Sequence, residues 1–182
     1  MSYRTIITNC IQEHRARHTA IHATFAQRDT SPAHYVRWEE ACAAFRKAEN
    51  QMLDLLVRCL KDGLEQDLEL RQFAFQYIDE DPYYFRSGYM LGALLQRVKR
   101  LELTQAEVVV LQHLVLRRID TQALREFRRI CRLIPRVHDP AFQAQLITRA
   151  KEAAPDIARR AEFALGYVPD QNGQLPVGSA GR

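Results

Sequence analysis

Arginines crowd positions 125, 128, 129 and 132 of this chain, with another at 136. At about 100° per residue, Arg125, Arg128, Arg129 and Arg132 fall on one side of a helix. Ala123, Leu124, Phe127, Ile130, Cys131 and Ile134 fall on the other. Guanidinium groups this close repel one another unless something negative neutralises them. A phosphate backbone would do so, in a complex that weakens steeply with salt. Arg alone, without Asn, Gln, Ser or Thr beside it, suits phosphate contact better than base reading. Arg86, Arg97, Arg100 and Arg136 extend this candidate anion site. A solvated amphipathic face is the plain alternative, since such faces are common.

A second constellation lies near the N-terminus. Cys10, His14, His18 and His22 form an i, i+4 ladder. If the following helix returns antiparallel from a turn near residue 30, His18 comes level with Cys42 and His14 close to Glu49. Imidazole, thiolate and carboxylate converging in a helical bundle could bind zinc or iron. The plain reading of His14, His18, Cys42 and Glu49 is a polar seam that fixes helix register. Neither HExxH nor paired Glu-x-x-His is present, and no GxSxG or P-loop points to nucleophilic or nucleotide chemistry.

Tyr83, Tyr84, Phe85, Arg86 and Tyr89 place aromatics beside a cation, a pattern that can stack bases or simply pack. Gly88 and Gly92 stand one helical turn apart, which costs helix stability and implies a close approach. A neighbouring helix is the first candidate visitor and a ligand the second.

These residues need elements to hold them, and the hydrophobic spacing supplies helices throughout. Ile7, Ile11, His14, His18, Ile21 and Phe25 repeat as a packed seam over 3–28. Ser31-Pro32 starts a second helix, which is expected to run unbroken to Lys61. The two make a long N-terminal antiparallel hairpin. A third helix is expected over 64–78, and a fourth from Asp81-Pro82 to Arg100. The Thr104/Glu107 capping box opens a fifth through Arg118, apolar nearly all round and expected at the centre of the core. A sixth spans Thr121 to Ile134, ended by Pro135. The seventh begins at Asp139-Pro140 and is kinked by Pro155. The fold class is therefore all-α: a single helical bundle of six to seven helices, one domain over 1–168 with a flexible tail over 169–182.

Charge is segregated along this frame. Residues 86–136 hold eleven Lys or Arg and four Asp or Glu, a net of +7 within an overall +4. Residues 62–81 hold seven acids and one Arg. The chain has 22 Arg to four Lys, which favours bidentate recognition of phosphate or carboxylate. A GC-rich genome would give the same bias. Cys10, Cys42, Cys59 and Cys131 form no CxxC pair and read as reduced thiols of a cytoplasmic protein. No apolar run is long enough for a membrane span.

The expected function is a non-enzymatic helical binding protein whose arginine face meets an anionic partner, nucleic-acid phosphate first. Two alternatives stand beside it. One is a protein–protein adaptor or homo-oligomer in which the acidic 62–81 segment of one molecule meets the 125–136 stripe of another. The other is a metal-dependent enzyme with zinc or iron at the hairpin His/Glu/Cys set.

Overall fold

A computed structural model describes residues 2–48, 50–61, 63–122 and 126–170. Every element in them is a helix, and none is long and apolar enough to cross a membrane. In chain order they are α1 (Tyr3–Phe25), α2 (Pro32–Lys47), α3 (Gln51–Lys61), α4 (Leu68–Glu80) and α5 (Ser87–Val98). Then come α6 (Gln105–Asp120), α7 (Phe127–Cys131), α8 (Ile134–Val137), α9 (Pro140–Ala150) and α10 (Pro155–Leu165).

Local chemistry sets many of the starts. Ser2, Ser31, Asp67, Thr104 and Asp139 each accept a hydrogen bond from the backbone N–H three residues on. Asn50 does the same for Leu53 N–H at 3.0 Å. Each such cap satisfies a donor the helix cannot, worth about 1 kcal/mol.

One continuous apolar core joins Ile7, the α3 residues Met52, Leu56 and Cys59, and the inner faces of α4, α5, α6 and α9. Tyr77, Phe73 and Phe142 are its largest fully buried side chains. α6 contributes Leu111, Leu114, Val115 and Ile119 but leaves Val109 exposed, so it is amphipathic rather than buried all round. By contrast α2 buries no residue fully. It runs back along the outer part of α1 through aromatic contacts, Phe25 on Trp38 and His14 on Phe45.

Several helix boundaries differ from the sequence expectation, among them the start of the third, which lies at Leu68 behind the Asp67 cap rather than at 64. The second helix does not continue to Lys61: Ala48 is extended at ψ 119° and α3 restarts behind the Asn50 cap. Asp81-Pro82 does not open a helix. Asp81 instead closes α4 in the left-handed conformation, φ 43°, with its N–H on Tyr77 O. Of the sixth helix expected over 121–134, α7 is the described helical part; a tight turn in which Leu133 N–H donates to Ile130 O ends it, and α8 begins at Ile134. Pro135 sits in the first turn of α8, where it has no helical bond to break. Pro155 likewise begins α10 rather than kinking a longer helix. The segment count therefore exceeds six or seven. The expected tail falls mainly on 171–182, outside the described residues.

Candidate functional site

The sequence points at α7 and its surroundings, and the packing there explains both glycines. A Cβ on Gly88 would lie 2.6 Å from Glu126 Oε2, and one on Gly92 2.6 Å from Arg129 Nη1. Glu126, the residue before α7, faces Gly88, and Arg129 within α7 faces Gly92 one turn further along α5. The close visitors are thus two charged side chains of the arginine segment. Nothing in the sequence pairs those positions, because the register depends on the break after α6.

Arg128, Arg129, Arg132 and Arg136 are all exposed. Among the described residues, Arg128, Arg129 and Arg132 form no ion pair. Arg125 lies outside the described residues. Arg136 donates Nη2 to Leu101 O at 2.7 Å, and Arg97 donates to Leu60 O. These belong to a wider habit: Arg117 donates to Asp79 O and Arg160 to Ile119 O, each at 2.6 Å. Leu60, Asp79 and Ile119 lie in the last turns of α3, α4 and α6, where carbonyls lack helical partners and cations are favoured. Part of the arginine excess therefore caps neighbouring helices. Arg86 and Arg100 remain exposed.

Among the described residues, no acid of the 62–81 segment pairs with Arg128, Arg129 or Arg132. Asp67 pairs with Arg58, Asp79 with Arg117, Glu80 with Arg4 and Asp81 with Arg118. Asp62 lies outside the described residues.

Beside α7 a cleft of about 750 Å³ opens between α1, the 83–89 segment and the start of α7. That volume falls inside the range of about 300–1,000 Å³ usual for ligand sites. His14, His18, Phe85, Arg86, Glu126 and Arg129 are among its lining residues. Its rim is aromatic and exposed: Tyr83 is 64%, Phe85 49% and Tyr89 57% exposed. His18 stacks on Phe85 at 5.2 Å with an interplanar angle of 23°, and the Arg86 guanidinium lies over the same ring at 5.2 Å. Arg86 has φ 68°, a left-handed conformation costing an arginine about 1–2 kcal/mol. Arg15 holds this segment in place, donating Nε and Nη2 to Tyr83 O at 3.1 and 2.5 Å.

Under the cleft lies a buried polar cluster. Arg118 Nη2 reaches Asp81 Oδ1 at 2.5 Å and Glu126 Oε1 at 3.4 Å, all three side chains being under a tenth exposed. Burial pushes the Asp81 carboxyl above its ordinary range, although Arg118 acts the other way. Tyr77 and Tyr84 share a hydroxyl–hydroxyl hydrogen bond of 2.9 Å. Burial raises both phenols, so they stay protonated at neutral pH. Arg118 Nε and His14 Nε2 are buried without a hydrogen-bond partner. Burial lowers the His14 imidazole below the ordinary histidine range, helped by His18 and Arg17.

Of the candidate metal ligands the structure describes His14, His18 and Cys42. His14 is wedged between Phe45 and Tyr84, and His18 between His22 and Phe85. Among the described residues no three His, Cys, Asp or Glu side chains are placed to hold a metal ion, and Glu49 lies outside them. Cys42 is half-buried and unpaired. Burial pushes the Cys59 and Cys131 thiols up to about 12, which leaves them unreactive at neutral pH.

Set against known proteins, the chain matches no family model, no curated sequence and no solved structure.

Proposed function

We propose that this chain is a non-enzymatic helical binding protein. Its α7 arginines would hold an anionic partner through the phosphates of a nucleic acid. The reading treats residues 1–168 as one all-helical bundle carrying the α1–α2 hairpin, in a cytoplasmic setting suited to its free thiols. One observation supports it above the others: Arg128, Arg129 and Arg132 are exposed and unpaired among the described residues, while Glu126 beside them is engaged by Arg118. Three unpaired guanidinium groups on so short a segment favour a polyanion, because each phosphate neutralised releases a counterion. The adaptor alternative has fewer acids to draw on, since Asp67, Asp79, Glu80 and Asp81 have arginine partners within the chain and only Glu65 and Glu69 of the described acids there are outside ion pairs.

Fluorescence anisotropy with a labelled 12-nucleotide DNA strand tests this between 50 and 200 mM salt. Three phosphate contacts predict a slope of log K against log salt of roughly −2. Reversing Arg128 and Arg132 together to Glu abolishes binding while the thermal unfolding curve stays in place. Binding that is unchanged by the reversal overturns the reading.

A further inference from the structure

The geometry points to a second element of recognition: the cleft beside α7 accepts an unpaired base of a single strand, stacked on the Tyr83–Tyr89 rim. This inference rests on the phosphate-binding reading and names the form of nucleic acid it would take.

Soluble proteins seldom leave large apolar side chains clustered in the open without a use. Here three aromatics within seven residues are between half and two-thirds exposed, and all three line one cleft. They are also held out rather than left loose. Arg15 ties Tyr83 O from α1, Tyr84 is anchored by the Tyr77 hydroxyl, and Ser87 Oγ accepts from Tyr84 N–H at 3.2 Å. The segment bears a left-handed Arg86, a strained conformation of the kind found at ligand clamps. Aromatic rings beside arginine in a groove make a sequence-tolerant stacking platform, because every base has a π-face. His18 against Phe85 already begins such a stack, with the Arg86 guanidinium over the ring.

The charges fit the same occupant. Arg129 reaches into the cleft across Gly92 and also belongs to the α7 arginine group. A strand lying on Arg128 and Arg132 would pass its next phosphate to Arg129 or Arg86, leaving the attached base at the aromatic rim. The Glu126 carboxylate is not free to repel that phosphate, since Arg118 and the first turn of α5 face it. A paired base cannot enter, as its faces are covered within the duplex. Discrimination between strand forms therefore follows from the cleft, while salt dependence follows from α7.

The test compares three probes at 50 mM salt: a 12-nucleotide single strand, the same strand with abasic sites throughout, and its duplex. The full single strand is expected to bind at least tenfold tighter than either of the others. Tyr83→Ala and Phe85→Ala are each expected to weaken the single strand by roughly five- to a hundredfold and to leave duplex affinity unchanged. Phe85→Trp restores it. Tyr83→Ala removes an exposed ring and keeps the test valid if Phe85→Ala disturbs the packing with His18 and Phe45. With 2-aminopurine in the strand, binding quenches its fluorescence in the parent and not in Tyr83→Ala. Equal binding of duplex, abasic and normal strands, still lost in the Arg128→Glu/Arg132→Glu pair, overturns the cleft while α7 stands. Absence of all binding overturns both. A salt-independent dimer in light scattering that Tyr83→Ala dissolves assigns the rim to self-association and overturns the inference as well.

Discussion

Gly92 and Arg129 are complementary in shape: the guanidinium of one occupies the space a side chain on the other would fill. A Cβ at Gly92 would sit 2.6 Å from Arg129 Nη1 and 3.2 Å from its Cδ. Arg129 is long and its head is exposed, so it can move aside. Gly92→Ala is therefore expected to leave stability level or slightly raised, because alanine gains about 1 kcal/mol of helix propensity in mid-helix. Single-strand affinity should fall as Arg129 leaves the cleft. Denaturant unfolding and anisotropy on one preparation check both outcomes.

Gly88→Ala should behave differently. Its Cβ would meet Glu126 Oε2 at 2.6 Å and Cδ at 3.0 Å, and that carboxylate is buried against Arg118. Moving it would break the pair with Arg118, so overpacking of roughly 1–3 kcal/mol is expected, partly offset by propensity. Equal midpoints for Gly88→Ala and Gly92→Ala would show that Glu126 yields as easily as Arg129.

Arg118 holds Asp81 and Glu126 together in the interior. Arg118→Met removes the cation that two buried carboxylates share, a loss of about 3–5 kcal/mol at pH 7. Burial already raises Asp81, so protonation relieves the variant. A raised folded value means that stability from this group is lost as pH rises through it and is present below it. The gap between variant and parent should narrow from pH 7 to pH 5. A gap of constant width over that window would place the damage elsewhere.

His14 works in the opposite sense. Its imidazole is depressed below 6.5 by burial, so the unfolded chain binds the proton first as pH falls. The stability present above 6.5 is lost progressively as pH drops towards the folded value. His14→Phe, which keeps an aromatic ring between Phe45 and Tyr84, should flatten that part of the profile. An identical slope in both proteins would remove His14 as its cause.

Arg71 donates Nε and Nη2 to the two carboxylate oxygens of Glu107 at 2.6 and 2.7 Å, and Glu107 also closes the α6 capping box with Thr104. Arg71 holds the Glu107 carboxyl below its ordinary 4.5. The contribution is complete above pH 4.5 and lost as pH falls below it. Arg71→Met should cost about 1.5–3 kcal/mol at pH 7. Glu107→Gln should remove the acid-side slope, as read from urea midpoints between pH 6 and pH 3.

Helix class and many helix starts were legible in the residues because they depend on neighbours within four positions. Ser31-Pro32, the Thr104/Glu107 box and Asp139-Pro140 name their own partners, and the structure uses each as read. The Gly88/Gly92 pair also announced a close approach. Where tertiary partners competed, local signals misled. Asp81 looked like an N-cap, but Arg118, 37 residues away, takes its carboxylate. The 121–134 stretch has a helical period, yet its buried apolar residues Phe127, Ile130, Cys131, Leu133 and Ile134 are divided by a turn.

The chain's own order of residues thus determined an all-helical protein with a basic middle and an acidic segment before it. It could not assign guanidinium groups to partners, since that choice is made between residues distant in sequence and brought together by packing. Folding spent Arg97, Arg117, Arg136 and Arg160 on the carbonyls of other segments and Arg4, Arg58 and Arg118 on acids. It left Arg128, Arg129 and Arg132 facing water beside an aromatic cleft. Charge composition is additive along a chain, whereas availability of a charge depends on what lies within about 4 Å, which is a property of the packed molecule alone.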